Sequence, residues 1–271
     1  MGIVNVTPDS FSDGGRLTTV EAAVTHGVAL LGQGADILDV GGESTRPGAD
    51  PVDVAEEIAR TVPVIEGLRR TWAGPISIDT MKPLVARAAV DAGATLWNDV
   101  TALGHSPDSL AVAAELGCEV VLMHMQGEPR TMQADPRYDD VVAEVIAWLR
   151  GRAEQAIAAG VVSARIRLDP GIGFGKTLAH NLALTAAVDR LAATGFPVLY
   201  GASRKRTIQA IDTTATDPSD RLGGSLALAL EAARRGAAIL RVHDVRETVQ
   251  ALKVQAAVTA ADRAAARRDP W

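Results

Sequence analysis

Short β-branched segments alternate with longer Ala/Leu/Val stretches of helical spacing along the whole chain, and eight such pairs can be counted. Strands that alternate with helices predict parallel pairing through right-handed crossovers, and eight such units favour a sheet that closes into a barrel. The predicted strands cover residues 2–6, 36–40, 76–79, 95–99, 119–124, 166–169, 198–201 and 239–242, and the predicted helices include 20–31, 52–70, 140–159 and 218–235.

An open, doubly wound sheet is the competing architecture for this pattern. Such a sheet usually carries a glycine-rich dinucleotide fingerprint after its first strand, and residues 6–8 have none. The glycine-rich run 171–177 is not a phosphate-binding P-loop either, because Pro170 stands where that motif requires glycine. A (β/α)8 barrel needs about 250 residues. The chain of 271 residues therefore predicts an α/β fold with a single TIM barrel domain over residues 1–271 and an active site at the carboxyl ends of the strands.

Composition excludes several classes of partner and site. The formal net charge of −6 argues against nucleic acid or an anionic membrane surface as a partner. The sequence has no signal peptide and no apolar segment long enough to span a bilayer, which predicts a cytoplasmic protein. The single cysteine, Cys118, excludes an internal disulfide and a multi-cysteine zinc site. We interpret it as a small core residue rather than a nucleophile.

Every predicted strand ends in, or next to, a polar side chain that an aliphatic core would not select. The strand ends of a parallel barrel share one face, so these side chains are expected to meet around one mouth, where barrel enzymes place their active sites. A single polar residue at a strand end is commonly a helix cap or a loop anchor, but eight together favour a site. The residues are Asn5, Asp39, Asp79, Asn98 with Asp99, His124, Asp169, Ser203 with Lys205, and Arg241 with His243.

Three members of this ring are suited to recognise a flat heterocycle. Asp79, Asn98 and Asp169 come from nonadjacent stretches and offer hydrogen-bond acceptors together with one amide. This is the set of groups that amino and ring N–H donors require.

The cationic members suit an anionic group instead. Lys205, Arg241 and His243 concentrate positive charge in an acidic protein, which favours a phosphate or pyrophosphate. Asn5 offers an oxygen ligand to a hard ion such as Mg²⁺, which takes few protein ligands when phosphates supply others. No HExxH or paired-histidine spacing supports a transition-metal site at His124.

Three glycine-rich loops, at 5–15, 41–48 and 170–177, have an unusual composition. Connections in compact domains usually have about 2–6 residues, and longer ordered loops tend to be functional. Phe11 and Phe174, two of only three phenylalanines in the chain, lie in these loops. Phenyl rings in such positions favour an aromatic ligand, although apolar loop residues also anchor loops to the barrel.

Eight segments of the chain, in order, resemble the dihydropteroate synthase family and together span nearly the whole sequence. The first two, together with the Ser-Arg-Lys and Arg-Val-His pieces, are specific to that family. Asp79, Asn98 and Asp169 alone would indicate the wider group of pterin-binding barrels, which includes methyl-transferring corrinoid proteins. The segments are 5–15 NVTPDSFSDGG, 39–48 DVGGESTRPG, 77–80 SIDT, 98–99 ND, 123–127 MHMQG, 168–177 LDPGIGFGKT, 201–205 GASRK and 241–244 RVHD.

The resemblance implies a reaction and its components. The small-molecule substrates would be 6-hydroxymethyl-7,8-dihydropterin pyrophosphate and 4-aminobenzoate, the products dihydropteroate and pyrophosphate, the cofactor Mg²⁺ and the assembly a homodimer. It also implies catalytic roles for Asp13, Lys205, Arg241 and His243. Asp13 would stabilise the positive charge that develops on the pterin methylene.

The resemblance further divides the binding residues among three parts of the substrates. Asp79, Asn98, Asp169 and Lys205 would hold the pterin, with Arg241 against its face; Arg241, His243 and, through Mg²⁺, Asn5 would hold pyrophosphate; Phe11, Pro47, Phe174 and Ser203 would shape the 4-aminobenzoate site, with Thr45 and Arg46 closing from the second loop.

Two alternatives remain open at the level of sequence. The first is a Schiff-base barrel lyase that uses Lys205, which leaves Asn5 and the glycine-rich loops unexplained. The second is a pterin-binding protein without turnover, either a pseudoenzyme or a methyl-carrier partner. No expected site residue is missing, which disfavours this second alternative.

Overall fold

The computed structural model describes residues 1–6, 19–44, 50–128 and 131–266, without the side chains of residues 19 and 263–266. Within these residues no helix combines the length and the apolar character that a membrane crossing requires. The described strands are β1 (Gly2–Asn5), β2 (Leu38–Gly41), β3 (Ile76–Asp79), β4 (Leu96–Asp99), β5 (Glu119–Met123), β6 (Ile166–Asp169), β7 (Leu199–Tyr200) and β8 (Ile239–Leu240). The described helices are α1 (Thr19–Gly32), α2 (Val54–Arg69), α3 (Pro83–Asp91), α4 (Ser109–Leu116), α5 (Val141–Ala158), α6 (Leu178–Ala186), α7 (Val188–Ala192), α8 (Arg206–Ile211), α9 (Leu222–Arg234) and α10 (Val245–Ala266).

The strands are parallel and pair in sequence order, with β1 to β6 in one sheet and β7 with β8 in another. Isolated bridges join the two sheets at both sides, Leu168 with Val198 and Gly2 with Val242. The backbone N–H of Ile3 donates to the carbonyl oxygen of Val242 at 3.1 Å, which closes the circle. The barrel that the strand–helix alternation predicts is therefore confirmed.

Alternation along the strands separates two apolar regions. Residues such as Val4 and Ile78 face outward and belong to the main core, which also contains residues of the surrounding helices. Cys118 is buried in this core, and burial raises the pKa of its thiol to about 11, which agrees with its interpretation as a small core residue. Met1, Leu96, Val121 and Leu199 form a second cluster. Their side chains lie on the opposite face of the strands and point into the barrel.

Side-chain caps determine where several helices begin. Asp53 precedes α2 and accepts a hydrogen bond from the backbone N–H of Glu56 at 2.8 Å. Asp140 caps α5 in the same way, and Thr177 and His180 form a reciprocal capping box at the start of α6. These contacts satisfy N–H groups that a first helical turn leaves unpaired.

Most elements differ from their predicted bounds by one or two residues, and two of them are shortened for a reason that the structure shows. β7 covers two residues rather than 198–201, because a turn in which the N–H of Lys205 bonds to the carbonyl of Ala202 follows directly after it. α9 begins at Leu222 rather than at 218, because residues 218–221 form a 3₁₀ turn that Asp217 caps.

Candidate active site

The carboxyl ends of the strands bring the predicted polar residues to one mouth of the barrel. The register of the sheet sets Asn5 level with Gly41, Gly41 with Asp79, and Asp79 with Asn98. Asn98 and Asp169 are both buried at the ends of their strands. The structure thus brings Asp79, Asn98 and Asp169, which come from separate segments of the sequence, into one ring.

Arg241 is held between two carboxylates at this mouth. Its Nε donates to Oδ2 of Asp39 at 2.6 Å, and its Nη2 donates to Oδ2 of Asp79 at 2.7 Å. Asn98 Nδ2 donates to the same oxygen of Asp39 at 3.3 Å. Burial raises the pKa of Asp79 to about 7, although the positive charge of Arg241 opposes this shift. The sequence predicted Asp39 as a member of the ring but gave it no role. The structure shows that it binds Arg241.

Asp169 and Lys205 supply an acceptor and a cation that interact electrostatically. Asp169 Oδ1 accepts from the backbone N–H of Gly171 at 2.7 Å, and burial raises the pKa of this carboxyl group. Lys205 Nζ donates to the carbonyl of Ile172 at 2.5 Å and lies 4.6 Å from the centroid of the Phe174 ring. Burial lowers the pKa of Lys205 to about 8, while the charge of Asp169 opposes the shift.

Lys176 joins two loops of the mouth, and sequence reasoning gave it no role. Its Nζ lies 3.0 Å from Nδ1 of His124 and donates to the carbonyls of His124 and Phe174 at 3.2 and 2.9 Å. Burial lowers the pKa of Lys176 to about 7, and burial together with Lys176 lowers that of His124 to about 3. Both effects favour the neutral form of the His124 imidazole. Gly171 has φ +68°, and a Cβ there would collide with the carbonyl of His124, so the contact requires glycine.

Ser203 and His243 meet where β7 and β8 end. Ser203 Oγ lies 3.0 Å from Nδ1 of His243 and accepts from the backbone N–H of His243 at 3.2 Å. Arg204 adopts a left-handed φ of 59°, and its Nε and Nη2 bind both oxygens of Asp244 at 3.0 and 2.5 Å. This bidentate pair fixes the loop after β7 to the loop after β8.

Asn5 ends β1 and is half-buried. It lies on the strand face opposite to Val4 and Val6, which belong to the main core, so its side chain points into the barrel. Among the described residues no group of three or more His, Cys, Asp or Glu residues is arranged to hold a metal ion. The carboxamide oxygen of Asn5 is a hard ligand, which fits Mg²⁺ that takes other ligands from phosphate and water.

Five of the predicted site residues lie outside the described residues, and their roles stay predictions. They are Phe11, Asp13, Thr45, Arg46 and Pro47.

A second group of charges, around the buried Glu57, lies beside the mouth, and the sequence did not predict it. Lys82 Nζ bonds to Oε2 of Glu43 at 2.8 Å and to Oε2 of Glu57 at 2.6 Å. Oε1 of Glu43 accepts from the backbone N–H of Val52 at 2.9 Å. Spacing along the sequence carries no signal for this group, because its members come from a loop, a helix and a second loop.

The barrel and its mouth fit one class of protein, the α/β-barrel enzymes, and the acceptors and cations at the mouth suit a planar heterocycle with N–H donors next to an anionic group. The chain matches the model of the pterin binding enzyme family over residues 1–243. It is 48% identical over 261 residues to the dihydropteroate synthase of Escherichia coli (strain K12), a match that covers 96% of this chain and 92% of that protein. A dihydropteroate synthase of Neisseria meningitidis serogroup B is 49% identical over 259 residues, with 94% and 90% covered.

Solved structures give the same result. The Xanthomonas albilineans dihydropteroate synthase with 4-aminobenzoic acid has a TM-score of 0.90 and 55% identity, and the match covers 96% of this chain and 92% of that one. The same enzyme in complex with 7,8-dihydropteroate has a TM-score of 0.87 and 52% identity, with the same coverage. The Yersinia pestis enzyme in a sulfonamide drug complex has a TM-score of 0.90 and 44% identity, covering 96% and 93%. The chain belongs to the pterin-binding enzyme family and, within it, to the dihydropteroate synthases, which are transferases.

Proposed function

We propose that the chain condenses 6-hydroxymethyl-7,8-dihydropterin pyrophosphate with 4-aminobenzoate to give 7,8-dihydropteroate and pyrophosphate. The observation that carries this proposal is the meeting of buried acceptors and cations at one barrel mouth, where Arg241 contacts Asp79 and Lys205 lies beside Asp169. The relatives support it, because solved synthases contain 4-aminobenzoic acid or 7,8-dihydropteroate. They favour the synthase over a Schiff-base lyase.

The acceptors bind and orient the pterin. Asp79 and Asp169 accept hydrogen bonds from the amino and ring N–H groups, while Asn98 both donates and accepts. Lys205 supplies a donor to the ring, and Arg241 lies against its face. A buried polar site of this kind discriminates strongly against rings that lack these N–H groups, because its own groups would then be left unpaired.

The departing pyrophosphate requires positive charge. Arg241 and His243 bind its oxygens. Asn5 would hold Mg²⁺, and the ion would supply further positive charge to the leaving group. The half-buried carboxamide of Asn5 supports this assignment. We expect Asn5→Ala to weaken Mg²⁺-dependent binding of pyrophosphate in calorimetry, which is a readout independent of turnover.

The attacking group needs orientation more than activation. The aniline nitrogen of 4-aminobenzoate is neutral at pH 7, so its lone pair forms the C–N bond as the C–O bond breaks and a proton is lost afterwards. Phe174 and Ser203 position the ring, and we retain Phe11, Pro47, Thr45 and Arg46 as predicted partners. Exclusion of water prevents hydrolysis of the activated methylene.

The direct test is the formation of dihydropteroate from the two substrates in the presence of Mg²⁺. Binding of the pterin pyrophosphate without product would contradict the proposal and support a pterin-binding protein without turnover.

Two substitutions test the pterin pocket itself. Lys205→Ala and Asp169→Asn should each raise the dissociation constant of the pterin substrate about tenfold or more, since each removes a charged hydrogen-bonding group from a buried site. Unchanged affinity in both variants would reject the pocket assignment. Asp13→Ala should spare pterin binding and reduce turnover, as expected for a group that acts on developing charge.

Three expectations about the whole protein stay predictions. We propose a single barrel domain over residues 1–271, a homodimer and a cytoplasmic location. Limited proteolysis, sedimentation velocity and cell fractionation would test them in turn.

A further inference from the structure

Arg241 divides one guanidinium edge between two carboxylates. Its Nε bonds to Asp39 and its Nη2 bonds to Asp79, at 2.6 and 2.7 Å. In proteins this edge commonly binds both oxygens of a single carboxylate. The split arrangement allows one of the two contacts to open while the other is kept.

The two carboxylates differ in depth. The side chain of Asp39 is 0% exposed, whereas that of Asp79 is 15% exposed. The register pairs Asp79 with Gly41, so Asp39 lies two residues deeper in the barrel along β2. Loss of a partner would leave Asp39 as an uncompensated buried charge, which is strongly unfavourable. Asp79 lies at the mouth, where a ligand can replace the contact that it loses.

We propose that Asp39 is a positioning residue that anchors Arg241 while a bound pterin displaces the arginine from Asp79. The inference rests on the proposed function, in which Asp79 and Arg241 both bind the pterin. Several N–H donors of the heterocycle compete for the carboxylate that Arg241 now occupies. Without the contact to Asp39, the whole guanidinium edge would take both oxygens of Asp79, and the two groups that the pterin needs would satisfy each other.

Asp39→Asn tests the anchor directly. A neutral amide accepts a weaker hydrogen bond from guanidinium than a carboxylate does, so Arg241 should turn to Asp79. We expect the dissociation constant of the pterin pyrophosphate to rise tenfold or more, and its Michaelis constant should rise in parallel. For the second substrate, 4-aminobenzoate, the Michaelis constant should change less than twofold, and kcat should fall by a smaller factor than kcat/KM.

A double-variant comparison distinguishes positioning of Arg241 from a direct effect of Asp39 on the ligand or on the fold. In an Arg241→Met background no arginine remains to capture Asp79, so adding Asp39→Asn should change pterin affinity less than twofold. An equal loss of affinity in both backgrounds would overturn the proposal, because Asp39 would then act on the ligand or on the fold directly.

Glu57→Gln is the matched control for loss of a buried negative charge. Glu57 is also fully buried and bonds to a single cation, Lys82, at 2.6 Å. We expect this variant to be less stable than the wild type and to bind the pterin within twofold of it. A loss as large as that of Asp39→Asn would overturn the specific role of Asp39.

The geometry can be tested without any substitution. In a crystal structure of the wild type with the pterin substrate, the bond from Arg241 Nε to Asp39 should persist and the bond to Asp79 should be broken. The reverse would overturn the proposal even if Asp39→Asn fails to fold. A wild type that does not bind the pterin would reject the proposed function, whereas equal binding by wild type and Asp39→Asn would reject only this inference.

Discussion

Among the described residues, two clusters each place one cation between a fully buried carboxylate and a more exposed one, and one of the two lies at the ends of the strands that form the mouth. We call them the mouth cluster and the flank cluster. The contacts within them are nearly equal in length, 2.6 and 2.7 Å in the first and 2.8 and 2.6 Å in the second. The mouth cluster is Asp39–Arg241–Asp79, and the flank cluster is Glu43–Lys82–Glu57.

The clusters share a further property. Each contains one fully buried carboxylate, Asp39 or Glu57, with an oxygen that has no hydrogen-bond partner among the described residues. They differ in the second carboxylate. Asp79 lies at the mouth. Glu43 accepts hydrogen bonds at both of its oxygens, from the backbone N–H of Val52 and from Lys82. We therefore propose that the mouth cluster binds ligand and that the flank cluster, with the same ratio of one cation to two carboxylates, stabilises the fold.

The cation differs as well. Arg241 offers a planar fork with several donors, so it can keep one carboxylate while a ligand takes the place of the other. Lys82 is a compact charge whose ammonium joins two side chains at one point. The residue types are therefore consistent with the roles that we propose for the two clusters.

Replacing Arg241 should give the largest effect and should act on catalysis. Arg241→Met removes the positive guanidinium charge that we expect to stabilise the departing pyrophosphate. We therefore expect kcat/KM to fall by about 100- to 1,000-fold. Steady-state kinetics with both substrates would measure it. A variant with kcat/KM within threefold of wild type would show that the mouth cluster is structural, like the flank cluster.

Replacing Lys82 should give the opposite signature. Lys82→Met leaves the fully buried Glu57 and the half-buried Glu43 without a cation, and we expect the free energy of unfolding to fall by about 3 kcal/mol or more in urea denaturation. The folded fraction should still bind the pterin within threefold of wild type. Lys253→Met, at an exposed lysine of α10, is the control and should change stability by less than about 0.5 kcal/mol.

The positions of the residues in the mouth cluster were largely predictable, because each residue stands out against its immediate neighbours in the sequence. Asp79 and Arg241 interrupt aliphatic strands, where a polar side chain needs a purpose, and the barrel rule then places them on one face. The pairing of Arg241 with Asp39 was not predictable, because 202 residues separate them and spacing carries no information over that distance.

The flank cluster was invisible to the same reasoning. Glu57 lies in a helix among other charged residues, where acidic side chains are usually solvated, and Lys82 precedes a proline at a helix start. Burial there arises only when α2 packs against the loops after β2 and β3. Lys176 was missed for a similar reason, since a lysine in a glycine-rich loop gives no sign that it will be buried.

The pH dependence of pterin binding would sharpen the comparison. The folded-state pKa of Asp79 is raised to about 7, so the protonated form is favoured by folding and its contribution to stability falls as pH rises from about 4 to about 7. The ligand instead needs the ionised carboxylate. We expect the pterin affinity to increase about tenfold between pH 6 and pH 8. Fluorescence titration would measure this, and Asp79→Asn should remove most of the slope; an unchanged slope would assign it to another group.

The smallest expected effect comes from a change at the start of α2, the helix that carries Glu57. This change tests whether the paired charges of the flank cluster or the packing of α2 stabilise this side of the barrel. Asp53→Ala removes the cap of α2, which accepts from the N–H of Glu56 at 2.8 Å, and leaves every contact of Lys82 in place. The loss should be about 1 kcal/mol of unfolding free energy, as for a typical helix cap, with unchanged pterin affinity. Asp140→Ala, at the cap of α5, is the matched control and should cost a similar amount. A loss in Asp53→Ala as large as that in Lys82→Met would mean that the packing of α2, rather than the paired charges, holds this side of the barrel together.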